Sequence, residues 1–109
     1  MSTELNAPVD AFVAAVNNHD EAAVLDAFTA DGFVDDWGRI FTGRDAIKAW
    51  SDREFIGAKG TMTVTDVRHD GDTVVVIADW RSSWANGLSS FAFRTAGDKL
   101  TAMIIRGAE

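Results

Sequence analysis

The stretch VNNHDEAAVLDAFTADGFVDDW, residues 16–37, holds the end of one predicted helix and all of a second. Asp20 can cap the second helix, because its side chain can accept a hydrogen bond from the first turn. We predict that this helix runs to Phe28. Gly32 suits the position after a helix C-terminus, where a left-handed backbone is common.

The last residues of the same stretch, 33–37, predict a short strand that ends on two adjacent aspartates. Side chains alternate between the two faces of a strand, so Asp35 and Asp36 must point in opposite directions. Either the pair is a polar sheet edge, or one carboxylate enters a covered cavity.

Two further helices flank this stretch. Pro8 suits the first position of an N-terminal helix, since it has no N–H to satisfy there. That helix has an apolar face at helical spacing: Val9, Phe12, Val13 and Val16. Thr42 and Asp45 resemble a capping box, which predicts a third helix to about residue 55 with Trp50 buried.

The second half of the chain predicts four antiparallel strands. They cover residues 61–69, 73–84, 88–95 and 99–106. The separators DGD, ANG and AGD contain glycines, which supply the positive φ angles of tight hairpins. Helices followed by a meander predict an α+β fold, in one domain over residues 1–109.

Charge and composition exclude several classes of function. The net charge of −7 argues against a nucleic acid or an anionic membrane as partner. The chain has no cysteine and only two separated histidines, so we expect no metal and no cofactor. The N-terminal sequence lacks the basic and apolar segments of a signal peptide, which predicts a cytoplasmic location.

The strand TVVVIADWRSSW, residues 73–84, begins with apolar residues on both faces. Both sides of the sheet are therefore expected to be covered along part of this strand. Three helices cannot easily cover both sides. We therefore expect a homodimer that packs through the outer face of the sheet, which is the face opposite the helices.

This order of elements resembles the nuclear transport factor 2-like superfold. The segments that carry the resemblance are residues 16–37, GRDAIKAW at 43–50 and AGDKLTAMIIRG at 96–107. They are most similar to the SnoaL-like branch, which includes polyketide cyclases and ketosteroid isomerases. The resemblance implies three helices packed on a curved antiparallel sheet, with a conical pocket between them that takes a hydrophobic small molecule.

The resemblance also assigns roles to individual residues. Asp36 falls where ketosteroid isomerases carry their general base. Phe12 and Ser89 fall where those enzymes carry the two groups that stabilise an oxyanion. Neither residue can replace those groups, and losing such donors costs several kcal/mol of transition-state stabilisation. Steroid isomerisation is therefore not the expected reaction.

The same alignment predicts which residues line the pocket. They are Phe12, Trp37, Trp50, Phe55, Ile77, Ser89, Phe91, Met103 and Ile105. For most of the aromatic residues Phe12, Trp37, Trp50 and Phe55, the alternative is that they fill the core. It places the dimer interface at Trp80, Trp84 and Ile104. Asp79 and Arg81 would join Asp36 as catalytic residues, a set similar to the two acids and arginine of limonene-epoxide hydrolases. The alternative is an ion pair at the sheet rim, which contributes little.

The expected function is a cofactor-independent isomerase, cyclase or hydrolase that uses Asp36 as acid or base on a hydrophobic substrate. The alternative is a non-catalytic module that binds a ligand. A third class, an adaptor for a protein client, has no supporting feature in the sequence.

Overall fold

The computed structural model describes residues 7–108, and within them three helices pack on one face of a six-stranded sheet. The helices are α1 (Ala7–Asn17), α2 (Glu21–Asp26) and α3 (Arg44–Glu54). The strands are β1 (Phe28–Asp36), β2 (Arg39–Thr42), β3 (Thr61–Asp70), β4 (Thr73–Arg81), β5 (Gly87–Ala96) and β6 (Lys99–Gly107). Within residues 7–108 no helix is long and apolar enough to cross a membrane.

The sheet order is β2-β1-β6-β5-β4-β3. Every neighbouring pair is antiparallel except β1 and β6, which run parallel. The predicted α+β class and the four-stranded meander are confirmed by this order. β4 ends at Arg81 rather than at the predicted residue 84, and residues 82–86 form a loop to β5.

The predicted end of the second helix is wrong. The helix ends at Asp26, and Phe28 already pairs with Leu100 of β6. The backbone N–H of Leu100 donates to the Ala27 carbonyl at 2.8 Å, so sheet pairing replaces the last helical turn. Gly32 lies inside β1, where an added β-carbon would stand 3.2 Å from the Leu100 carbonyl oxygen.

The predicted capping box of the third helix is also wrong. Thr42 belongs to β2, a strand that the sequence analysis did not predict, and it pairs with Phe33. The N-terminal cap of α3 is Gly43, which makes no side-chain hydrogen bond and has a φ of +88°. Glycine reaches such an angle without a steric penalty, which allows the chain to leave β2 and enter α3 directly.

The core lies between α1 and the inner face of the sheet, which is the face that the helices cover. Phe12 of α1 is at its centre, with no exposed surface. Its ring contacts three other phenylalanine rings at centroid distances of 5.4–6.2 Å: Phe28, Phe55 and Phe93. These contacts fix α1 over β5 and leave the other end of the sheet to α3.

The predicted orientation of β4 is wrong. Val76 pairs with Phe91 and therefore shares its face, and Phe91 is buried under the helices. Val74, Ala78 and Trp80 are likewise buried, so the alternate residues point away from the helices. Both faces of this strand carry apolar residues at its start. Hydrophobicity therefore does not indicate which face points toward the helices. A shift of one residue in register reverses every side chain.

Candidate functional site

A cavity of about 350 Å³ opens between α3, the β1–β2 hairpin and the loop of residues 82–86. Six aromatic side chains contribute to its wall: Trp37, Trp50, Phe55, Trp80, Trp84 and Phe91. They include all four tryptophans of the chain. Cavities that are mainly aromatic, with a few placed polar groups, are typical binding sites for small organic molecules.

Three of these rings form a continuous stack along one wall. The Trp50 and Phe55 centroids are 4.7 Å apart, and the Phe55 and Trp80 centroids are 4.9 Å apart. The planes of Phe55 and Trp80 differ by only 10°. Such stacking favours a rigid wall, because each ring restricts the rotation of the next.

A tight hairpin positions Asp36 and Arg39 at one end of the cavity, which we call its polar end. Trp37 and Gly38 have φ angles of +54° and +93°, as the two central residues of a type I′ turn require. The turn pairs Asp36 with Arg39, and Asp36 also pairs with Ile105. These residues therefore share the inner face.

Helix α3 completes the polar end with two residues one turn apart. The Trp50 Nε1–H donates to Asp36 Oδ2 at 3.1 Å. Arg39 donates from Nη1 to Glu54 Oε2 at 3.0 Å and from Nη2 to Glu54 Oε1 at 2.6 Å. The Arg39 Nη2 group also donates to Asp36 Oδ2. Two carboxylates thus hold one guanidinium between helix and hairpin.

Burial and charge set the protonation of this cluster. The Glu54 side chain is only 5% exposed and that of Asp36 only 14% exposed. Hydrogen bonds from Arg39 lower the pKa of Glu54, and this outweighs the opposing effect of burial. The same contacts raise the pKa of Arg39. Glu54 and Arg39 are therefore both charged at neutral pH.

The neighbouring aspartate has a different environment. Asp35 lies on the outer face, where Arg106 donates to its two carboxylate oxygens at 3.0 and 3.1 Å. The Gly38 N–H donates to the same side chain at 2.7 Å. The Arg106 hydrogen bonds are the main cause of the lowered pKa of Asp35. Asp35 is thus part of the hairpin structure and lies outside the cavity.

The structure brings most of the predicted pocket residues together. Those that line the cavity are Asp36, Trp37, Trp50, Phe55, Ser89, Phe91 and Ile105. Phe12 and Met103 are completely buried core residues and do not line it. Their predicted position in the pocket is wrong, because neighbouring side chains separate them from the open space.

The predicted placement of Ile77, Asp79 and Arg81 in the pocket is wrong. All three lie on the outer face of β4, as its register requires. The Arg81 Nε–H contacts both oxygens of Asp79 at 3.2 Å, and neither side chain is well buried. This is the ion pair at the sheet rim that was the alternative interpretation.

Two predicted interface residues also need correction. Trp80 is 8% exposed and faces the cavity, for the same reason of register. Trp84 lies beyond the end of β4, in the loop at the cavity mouth, and is 64% exposed. Ile104 lies on the outer face, where it pairs with Asp35 and Ala92.

Sequence reasoning missed Arg39 and Glu54. A signal for each was present, since DDWGR has a glycine at the second position of a two-residue turn and would return Arg39 to the side of Asp36. Glu54 follows Trp50 by four residues, so a helix places both on one side. Within residues 7–108, no three acidic or histidine side chains form a group that could hold a metal ion.

The charge network supports a prediction for Arg39→Gln. Without the guanidinium, burial and the nearby Asp36 carboxylate should raise the pKa of Glu54 above its ordinary value of 4.5. We expect a loss of about 1–3 kcal/mol of unfolding free energy at pH 7. The loss should shrink as the pH falls toward 3, because protonated carboxyl groups no longer repel each other.

The direction of this pH dependence follows from the linkage between proton binding and folding. In the wild type the folded state lowers the pKa of Glu54, so its contribution is full above the unfolded pKa and is lost as the pH falls through the folded pKa. Urea unfolding at several pH values measures both proteins. Arg81→Gln, which removes an exposed pair, is the matched control and should change stability by less than about 1 kcal/mol. An equal effect of the two variants at pH 7 would contradict the assignment.

Comparison with known families gives a match over most of the chain. The model of the SnoaL-like domain matches residues 9–105. No curated protein sequence matches the chain.

Solved structures share the fold at low sequence identity. A candidate polyketide cyclase from Sinorhizobium meliloti has a TM-score of 0.83 and 21% identity, covering 97% of this chain and 99% of that protein. A Catenulispora acidiphila protein with a ketosteroid isomerase-like fold, in complex with trimethylamine, has a TM-score of 0.79 and 23% identity. The match covers 96% of this chain and 88% of that protein. A Mycobacterium tuberculosis protein in complex with estradiol-17β-hemisuccinate has a TM-score of 0.81 and 18% identity. The match covers 99% of this chain and 95% of that protein.

Proposed function

The chain belongs to the SnoaL-like domain family, and from this and the geometry of the cavity we propose that it acts on a hydrophobic small molecule by cofactor-independent acid–base chemistry. Asp36 is the general base. The observation that carries the proposal is a carboxylate, 14% exposed, at the wall of a cavity that six aromatic side chains also line. A base in such a place can accept a proton from a bound ligand without competition from bulk water.

The orientation of Asp36 supports this role. Its Oδ2 atom accepts hydrogen bonds from Trp50 and Arg39. Among the described residues, no donor approaches its Oδ1 atom within hydrogen-bond distance. One oxygen therefore fixes the carboxylate, and the other is available to a ligand.

Arg39 and Glu54 complete the proposed machinery. The Arg39 guanidinium lies beside the base, where its positive charge can stabilise negative charge that develops on the ligand. Glu54 positions Arg39 and does not itself touch the ligand. Two acids and one arginine are similar in kind to the set of limonene-epoxide hydrolases, although here β1, β2 and α3 supply one residue each. Isomerisation, cyclisation and hydrolysis all begin with a proton transfer that this set can perform.

The relatives support a hydrophobic ligand. The Mycobacterium tuberculosis protein holds a steroid ester, and the Sinorhizobium meliloti protein is a candidate polyketide cyclase. A steroid ring system is large and apolar with few polar atoms, which suits a cavity with aromatic walls and one polar end.

Nitrobenzisoxazole tests the proposal without knowledge of the natural substrate. Removal of the proton on its ring carbon breaks the N–O bond and releases a coloured cyanonitrophenolate, so any positioned base in an apolar cavity accelerates the reaction. We expect saturable turnover above that of acetate at equal concentration and pH. Saturable binding without turnover would support the second candidate, a non-catalytic binding module, which the pairing of Arg39 with two carboxylates also favours.

We further propose that the protein is a cytoplasmic homodimer, formed through the outer sheet face. Ile104, Ala92 and Val75 form a row of apolar side chains across that face, and Ile40 lies at the same level beyond Asp35, whose charge is paired with Arg106. Ile40 is 55% exposed in the single chain. Apolar surface of this kind on a sheet is often covered by a second subunit.

Ile104→Glu tests the interface. A charge in this apolar row should prevent association, because it would be buried without a partner in the dimer. Light scattering should give the mass of a dimer for the wild type and of a monomer for the variant. Arg53→Glu, an exposed change on α3, is the control and should remain dimeric. A wild-type monomer, or an Ile104→Glu dimer, would place the interface elsewhere or remove it.

A further inference from the structure

We infer that the ligand of the cavity is an organic cation, an amine with an apolar body that is protonated at neutral pH. This inference rests on the proposed function, since it names the class of molecule that the same cavity takes. The observations that carry it are the balance of charge around the cavity, the unused oxygen of Asp36 and the number of tryptophan rings.

Among residues 7–108, the charged groups that line the cavity leave one negative charge in excess. They are Asp36, Arg39 and Glu54. Glu54 and Arg39 neutralise each other through two hydrogen bonds. Asp36 is the surplus carboxylate, in a chain whose net charge is already −7. The long-range field and the local charge therefore both attract a cation.

An anionic ligand fits the site poorly. Among residues 7–108, the guanidinium of Arg39 is the one cationic group that lines the cavity, and both its Nη atoms already donate to carboxylates. An anion would therefore meet a guanidinium whose charge two carboxylates already balance. A neutral ligand leaves the negative charge on Asp36 Oδ1 without a counter-charge. An ammonium N–H satisfies that oxygen and cancels its charge.

The aromatic wall also suits a cation. Tryptophan has the most negative ring face of the aromatic side chains, and four tryptophans surround this space. Trp37 and Trp84 are 66% and 64% exposed at the mouth, so a ligand would cover ring surface that water now contacts. Trp50 lies beside Asp36 itself, at 3.1 Å from ring nitrogen to carboxylate. Its N–H edge points at the carboxylate, so the aromatic faces open to a cation are those of the exposed Trp37 and Trp84.

Three ligands with one shared apolar body test the inference: adamantylmethylamine, adamantylmethanol and adamantanecarboxylate. They differ in charge and hardly in shape, and none of them absorbs where tryptophan does. All four tryptophans line the cavity, so their fluorescence reports on its occupancy, and calorimetry checks each dissociation constant. We expect the amine to bind at least about 10-fold more tightly than the alcohol, and the carboxylate to bind most weakly.

Two variants locate the effect. Asp36→Asn should remove most of the preference for the amine and keep the affinity for the alcohol, while Asp79→Asn on the outer face should keep the wild-type ranking. The order in which the wild-type protein binds the three ligands is measured without any variant. The inference can therefore be tested even if Asp36→Asn does not fold. Alcohol that binds as tightly as amine overturns the inference and leaves the proposed function standing. Binding of none of the three at millimolar concentration contradicts both.

Discussion

An Asp36→Asn variant is expected to open nitrobenzisoxazole about 100- to 10,000-fold more slowly than the wild type. Asparagine has nearly the same shape, and its amide oxygen can still accept from Trp50 and Arg39, so the hairpin should keep its geometry. The amide of asparagine is not basic enough to remove a proton, so the proton of the ligand has no acceptor. The expected loss is in kcat, with KM little changed, because the aromatic wall that binds the ligand is intact.

Asp79→Asn is the matched control for this loss. It removes the same charge from a strand of the same sheet, but on the face opposite the cavity. Its turnover should equal that of the wild type. Circular dichroism and thermal unfolding of both variants show whether the fold is kept. A folded Asp36→Asn protein with wild-type turnover would mean that Asp36 is not the base.

Trp80→Ala is expected to lower the unfolding free energy by about 3–5 kcal/mol, a large part of the stability of a small domain. The Trp80 ring stacks on Phe55 at 4.9 Å. It also covers Gly60 so closely that a β-carbon there would stand 1.9 Å from a ring atom. Removing the ring opens a space that neighbouring side chains cannot fill. Urea unfolding followed by circular dichroism measures the loss.

Trp84→Ala is the control for this prediction. Trp84 is a tryptophan of the same cavity, but it is 64% exposed in a loop, so its loss should change stability by no more than about 0.5 kcal/mol. The pair thus separates a ring that supports the fold from one that only borders the mouth. Similar losses in the two variants would contradict the burial of Trp80, as would a Trp80→Ala protein as stable as the wild type.

The fold could be predicted because its signals are local. The apolar stripe of α1 repeats at helical spacing, and glycine-bearing turns separate the four strands of the meander. Alternation predicted that Asp35 and Asp36 point to opposite faces of β1, and the resemblance to ketosteroid isomerases selected Asp36 as the one toward the helices. Such patterns depend on the chemistry of the backbone and need no knowledge of distant contacts.

The orientation of β4 could not be predicted in the same way. Val74 and Val76 are as apolar as Val75 and Ile77, so hydrophobicity gives no preference between the faces. The pairing of Val76 with Phe91 decides it, and that pairing depends on where the loop of residues 82–86 begins and ends. The mistake moved Asp79 and Arg81 into the cavity and Trp80 out of it.

The partners of Asp36 required tertiary structure. Arg39 and Glu54 are 15 residues apart in sequence, and they meet because α3 packs against the β1–β2 hairpin. A turn motif and a helical spacing each indicated a direction, but neither fixed which helix would lie beside which strand. A buried charge without an opposite charge beside it is strongly destabilising. Pairs such as Arg39 and Glu54 are therefore identified from three-dimensional contacts.

The most direct measurement is a crystal structure of the protein with nitrobenzotriazole, which has the shape of the assay substrate and cannot react. The account predicts the bicyclic ring inside the cavity, against the stack of Trp50, Phe55 and Trp80, with its N–H donating to Asp36. A cavity that holds only water at a saturating concentration of the compound would contradict the account. So would a ring bound on the outer sheet face, away from Asp36.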